Sequence, residues 1–167
     1  MSPDRLSGGD YRAAVGDPPG QSTRPRVRTA SEADLPAVKT LRDAFYSESP
    51  PPPWRDESWE AHAEEVVQVV RAGGALLAEQ LGETVGFALA WSEGLNAVKL
   101  GDLYVRPEHR GQGIGRALVR AVAELARLRG AGYVHLTANL EAITYYDQLA
   151  FSEESRNLFG SVEMLLS

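Results

Sequence analysis

The residues best suited to chemistry lie in one run, Leu100 to Leu118, LGDLYVRPEHRGQGIGRAL. Within it Arg110, Gly111, Gln112, Gly113, Ile114 and Gly115 separate a strand-like stretch from a long amphipathic one. Three glycines at alternate positions let consecutive backbone N–H groups turn into one concavity, and the macrodipole of a following helix favours an anion there. Phosphate binding is the chemistry this suits, although a plain glycine-rich turn into a helix uses the same residue types. It is not a Walker A loop, because no Lys-Ser or Lys-Thr pair follows. It is not a Rossmann fingerprint either, because Arg116 fills the third glycine position and the preceding strands read as antiparallel. Other chemistries are excluded by what the chain lacks. With no cysteine there is no disulfide, no thiolate metal site and no acyl-cysteine intermediate. His62, His109 and His135 fall on a helix, a loop and a strand without ligand spacing, so no metal is expected. No G-x-S-x-G elbow offers a serine nucleophile.

The elements that must position this loop follow from periodicity. Met1 to Pro25 holds four prolines and four glycines with no sustained apolar period, so 1–25 reads as a flexible extension and 26–167 as the folded domain. Arg26 to Thr29 is a short strand. Ser31, with Glu32 and Asp34 behind it, caps a helix that faces inward through Leu35, Val38, Leu41 and Phe45. The run Ser49 to Pro53 must be a loop, since each proline forbids helical backbone before it. A second helix is expected over Asp56 to Arg71, with Trp59, Ala63, Val66, Val67 and Val70 on its apolar stripe. After Gly73 and Gly74 the period becomes strand-like. Ala75–Gln80, Thr84–Glu93 and Ala97–Val105 form an antiparallel meander. A long helix then runs to about Arg129, burying Ile114, Ala117, Leu118, Ala121, Val122, Leu125 and Leu128. Tyr133–Thr137 is a strand, Leu140–Leu149 a helix, and the tail holds one or two more strands, the last near Val162 to Leu166. The sum is a single α/β domain with a mixed sheet and helices on both faces.

At these residues the chain resembles the GCN5-related N-acetyltransferases. Arg110-x-x-Gly113-x-Gly115 matches that family's acyl-CoA signature in the same strand-to-helix setting. A second motif follows at Asn139-Leu140-Glu141-Ala142-Ile143-Thr144-Tyr145-Tyr146-Asp147-Gln148-Leu149-Ala150-Phe151, with Ala150 in place of the usual glycine. The resemblance spans about Val27 to the C-terminus and implies the acyl-CoA N-acyltransferase fold with acetyl-CoA as cosubstrate. It implies that the strand through Leu103, Tyr104 and Val105 splays from its neighbour and offers backbone groups to the pantetheine arm. A main-chain N–H near Leu103 would polarise the thioester carbonyl. Gly111 to Arg116 would hold the pyrophosphate, Asn139 and Ala142 would help place the cofactor, and Tyr146 would protonate the departing thiolate. For the base that deprotonates an amine, the expectations are Asp102, where similar small-amine enzymes carry paired acids and Gly101 replaces one here, and Glu93 on a neighbouring strand. Tyr46, Glu48, Trp54, Asp56 and Glu57 are available to line an acceptor site suited to an amine cation. The rival readings are acylation of a protein or peptide amine and a CoA-binding module without catalysis.

Size and charge bound the rest. At 167 residues the chain has room for one core rather than two. With 23 acidic and 17 basic residues its net charge is -6, which disfavours nucleic acid and suits a cationic small partner. No apolar run is long enough for a bilayer and the N-terminus lacks a secretory signal's apolar centre, so a cytoplasmic location without membrane contact is expected. A homodimer remains compatible with all of this.

Overall fold

The computed structural model of the chain describes residues 23–139, 143–149, 151–156 and 161–166. Strand β1 (Arg26–Thr29) is followed by helices α1 (Leu35–Glu48) and α2 (Trp59–Arg71). The meander β2 (Ala75–Gln80), β3 (Glu83–Glu93) and β4 (Ala97–Val105) leads into α3 (Ile114–Leu128), and β5 (Tyr133–Asn139), α4 (Ile143–Gln148), β6 (Ser152–Arg156) and β7 (Ser161–Leu166) complete the order. The sheet runs β1-β2-β3-β4-β5-β7-β6, with β4 and β5 parallel and the other neighbours antiparallel.

Alternation along the strands feeds two cores. Leu76, Ala78, Ala88 and Ala90 point to the face covered by Ile114, Leu118, Val119 and Val122 of α3. Ala75, Leu77, Phe87 and Leu89 point to the other face, against Val38 and Leu41 of α1 and Val66 and Val70 of α2. Both faces are covered, which is why β2 reads as a nearly continuous apolar run rather than a clean alternation.

Several boundaries differ from the sequence expectation for local reasons. Ser31 and Asp34 do form a capping box, with Asp34 Oδ2 accepting from the Ser31 N–H at 2.8 Å, but the box opens a 3-10 turn (Glu32–Asp34) and α1 starts only at Leu35. Helix α2 starts at Trp59 rather than Asp56, because Ser58 is the cap and its hydroxyl accepts from the Ala61 N–H at 3.3 Å. Leu128 is not buried: it is 70% exposed, and α3 turns Val119 and Ala126 inward instead. Leu140 to Ala142, where the fourth helix was expected to begin, lie outside the described residues.

Two irregularities in the centre of the sheet prepare the site. Leu89 pairs with Asp102 but Ala90 pairs with Leu100, so Gly101 is an extra residue bulging from β4. A side chain there would overlap the Trp91 ring, which lies against the glycine. The second is the short β4/β5 ladder. Only Ala97, Val98 and Lys99 pair with β5, opposite Tyr133, Val134 and His135, although β4 continues to Val105 and β5 to Asn139. Beyond Lys99 the two parallel strands part, and β5 remains paired to β7 on its other side.

Candidate active site

The parted strands open toward the glycine loop. Gly111 and Gly113 have φ of 77° and 80°, left-handed values that let the chain double back before α3 begins at Ile114 with Gly113 as its cap. A Cβ at either glycine would meet no atom within 4 Å, so the concavity is open on that side. Ile114 itself is core and only its backbone faces the loop. Gly115 is closed over by the Tyr145 hydroxyl, which a Cβ would strike. Arg110 binds the loop to its surroundings: Nε donates to the Val105 carbonyl at 2.9 Å, Nη1 pairs with Glu48 at 2.7 Å, and the guanidinium stacks 5.5 Å from the Tyr104 ring centre. The Tyr104 hydroxyl donates to the same Glu48 carboxylate at 3.2 Å. Arg110 therefore holds the Glu48 carboxyl below its ordinary range. Arg116 reaches the Gln148 carbonyl at 3.4 Å, joining α3 to α4.

Before its end, β4 contributes Asp102 to a buried polar cluster. The Tyr46 hydroxyl of α1 donates to Asp102 Oδ1 at 2.7 Å, and Arg42 Nε lies 3.5 Å from Oδ2. Arg42 also donates through Nη1 to the Glu57 carbonyl at 2.7 Å and through Nη2 to Glu57 Oε2 at 3.0 Å, with its guanidinium 4.7 Å from the Tyr46 ring centre. Arg55 adds a further ion pair to Glu57 from the solvent side. Arg42, Glu57 and Asp102 are 3%, 8% and 7% exposed, so two buried carboxylates share one buried guanidinium. Burial raises the Asp102 carboxyl above its ordinary value, against the opposing pull of the Tyr46 hydrogen bond and Arg42.

Tyr146, on α4, packs into the α3-side core with its ring edge-on to Phe151 at 5.8 Å. Its hydroxyl is pushed well above the usual phenol range, first by burial, then by Tyr145 and by the Asp102 charge. Geometry links Tyr146 to the glycine loop: its ring lies edge-on to Tyr145 at 5.3 Å, and the Tyr145 hydroxyl closes over Gly115.

The structure thus gathers Asp102, Leu103, Tyr104, Val105, the Arg110 to Arg116 loop and Tyr146 around the parted strands. Asn139 ends β5 on the opposite side of that opening, its backbone paired with Ser161. Ala142 lies outside the described residues. Glu93 is not brought to the site: it pairs with Ala97 at the end of β3 where β4 and β5 are still joined, and its carboxylate faces His135 at 3.2 Å. Of the expected acceptor residues, Tyr46, Glu48 and Glu57 make the contacts above, whereas Trp54 is 82% exposed and Asp56 accepts from the Ser58 N–H. Arg42 was not anticipated. Its signal was a charge one turn after Val38 and beside Leu41, on the face of α1 that otherwise carries apolar residues. Among the described residues no group of three or more His, Asp or Glu side chains could hold a metal ion, and no helix is long and apolar enough to cross a membrane.

The acetyltransferase (GNAT) family model matches residues 36–151. Streptothricin acetyltransferase of Streptomyces lavendulae is 41% identical over 78 residues, covering 42% of this chain and 40% of that protein. Thialysine N-epsilon-acetyltransferase of Sus scrofa is 40% identical over 55 residues, covering 31% of this chain and 32% of that one. The chain thus spans less than half the length of the curated relatives it matches. Among solved structures, the PaiA N-acetyltransferase of Thermoplasma acidophilum, crystallised with coenzyme A, superposes with a TM-score of 0.70 at 18% identity over 85% of this chain and 98% of its own. At that identity the likeness speaks for the fold.

Proposed function

The chain belongs to the acetyltransferase (GNAT) family, and from that premise we propose that it transfers acetyl from acetyl-CoA directly to the amine of a small cationic acceptor. The observation that carries the reading is the β4/β5 ladder, which stops after Lys99 and His135, so that β4 parts from β5 before it runs into the glycine loop, whose Gly111 and Gly113 face open space. These features fit coenzyme A: an extended amide-bearing arm suits strands that have parted from each other, and a pyrophosphate suits N–H groups at the start of a 15-residue helix. Acetyl-CoA supplies an acyl group already activated as a thioester.

The residues then divide the work. Gly111 to Arg116 hold the pyrophosphate, Leu103 to Val105 and Asn139 line the arm, and the Leu103 N–H polarises the carbonyl. Asp102 accepts a proton from the arriving ammonium, held in place by the Tyr46 hydrogen bond. Tyr146 keeps its own proton at neutral pH, because burial disfavours the phenolate, and so has one to give to the departing sulfur. A compact amine is favoured by the buried polar cluster, in which Asp102 shares Arg42 with Glu57, while Glu57 is also paired with Arg55 and faces His62, so the charge least compensated is that of Asp102. The names of the streptothricin and thialysine relatives agree with an amine-bearing small acceptor.

The test is thiol release from acetyl-CoA against a panel of diamines, amino acids, aminosugars and N-terminal peptides. Turnover with small amines is expected. Turnover confined to peptides would replace the acceptor assignment, and binding of acetyl-CoA without turnover on any of them would favour a CoA-binding module.

A further inference from the structure

Gln80, at the end of β2, belongs to no part of the site described so far, yet it is only 7% exposed and three of its hydrogen-bonding positions are used. Its Nε2 donates to the Thr23 carbonyl at 2.8 Å and to Gln112 Oε1 at 3.0 Å, and its Oε1 lies 3.0 Å from His109 Nδ1. The Thr23 carbonyl can only accept, which fixes the Gln80 amide orientation: nitrogen toward Thr23 and Gln112, oxygen toward a His109 N–H. Gln112 stands between Gly111 and Gly113, the two left-handed glycines, around which no other atom approaches within 4 Å of a Cβ position. Backbone this permissive loses the most freedom on being ordered, so what holds its shape must come from side chains.

We infer that Gln80 is a positioning residue for the glycine loop: one buried amide clamps Gln112 and His109, on either side of Arg110 and Gly111, and sets the loop's N–H groups in their phosphate-facing arrangement before any ligand arrives. Arg110 fixes the same loop from its other flank through Val105 and Glu48. The inference rests on the reading that this loop receives the pyrophosphate of acetyl-CoA. It assigns Gln80 to donor affinity and not to the chemical step, because its contacts reach the loop and none reaches Asp102 or Tyr146.

The experiment compares acetyl-CoA with S-acetylpantetheine, which carries the same thioester but neither pyrophosphate nor nucleotide. Gln80→Met, close in shape and without hydrogen-bonding capacity, should raise the KM for acetyl-CoA roughly five- to tenfold, the size of one or two neutral hydrogen bonds. Its kcat should stay near wild type, and kcat/KM for S-acetylpantetheine should not move. Gln112→Met should show the same donor-selective loss, and the double variant should be no worse than Gln80→Met alone, since both remove one clamp. Should Gln80→Met fail to fold, His109→Phe, which removes the other end of the clamp from outside the pyrophosphate-holding residues, is compared on the two donors in its place, and the same donor-selective loss is expected. Equal losses with both donors, an unchanged KM for acetyl-CoA, or multiplicative effects in the double variant would overturn the assignment. A wild-type protein that does not bind acetyl-CoA at all would instead overturn the functional reading beneath it.

Discussion

Asp102 and Tyr146 are both kept protonated longer than usual by burial, and the consequences for the two are opposite. A phenol displaced upward is a better reservoir of a proton, so Tyr146→Phe should lower kcat by about 10²- to 10⁴-fold while acetyl-CoA affinity, measured by calorimetry, stays within a few-fold. Full activity in that variant would return Tyr146 to the role its contact with Phe151 also describes, a core ring. A carboxyl displaced upward is a base only above its own raised value, so kcat/KM should climb as pH rises through that value. Asp102→Asn should flatten this limb, leaving only the titration of the acceptor amine, and an unchanged pH profile would move the proton transfer elsewhere. The two proposed roles differ in where in the sequence they were expected from. Tyr146 was legible because a motif marks it. Asp102 was expected only from the resemblance to small-amine enzymes, and its bonds to Tyr46 and Arg42 were not legible, because they join residues 56 and 60 positions apart and no local period records them.

Helix α1 is the element on which most of the proposed acceptor side depends, since Arg42, Tyr46 and Glu48 all project from it. Its start is fastened to the sheet by Arg28, which donates to both Asp34 oxygens at 2.8 and 2.7 Å and to Glu79 at 2.7 Å. The fork holds Asp34 well below the usual carboxylate range, with the Arg28 hydrogen bonds as the main cause and the Ser31 N–H second. A carboxyl depressed in the folded state lends stability that is present above its unfolded value of 3.8 and is lost as pH falls from there toward the folded one. Arg28→Met should therefore cost roughly 1 kcal/mol near neutral pH in urea titrations, the upper range for a partly exposed pair. That cost should shrink below the unfolded value, and a penalty independent of pH would mean that the arginine acts through packing instead. The order of strands and helices was readable from apolar period and from the glycine and proline breaks. The bulge at Gly101 and the three-residue β4/β5 ladder were not readable from period, since both depend on pairing between distant strands. Only the family motif implied the splay.

At the scale of the whole molecule, the net charge of -6 says little about where a cation would go, but the buried cluster does. Asp102 and Glu57 come from β4 and from the α1–α2 connection, and Arg42 of α1 is the buried cation between them; Arg55 and His62, the further partners of Glu57, are 64% and 27% exposed on their side chains. Solvent screens an exposed guanidinium far more than a buried one, so its compensation weakens readily while the deficit near Asp102 persists. A cationic acceptor therefore gains both from the surrounding acidic chain at long range and from the cluster at short range, and the two parts respond differently to salt. Exposed charges are screened beyond about 8 to 10 Å at physiological ionic strength, whereas buried ones are screened much less. Raising salt should lower kcat/KM for a polyamine more steeply than for a monoamine, and leave kcat for both nearly constant, because only the capture of the extra charges depends on the long-range field. Steady-state kinetics across a salt series, with spermidine and a simple monoamine as the acceptors, would show it. Parallel slopes for the two would confine recognition to the buried cluster, and a preferred acceptor that is anionic would remove the cation-binding role from Asp102 and Glu57 altogether.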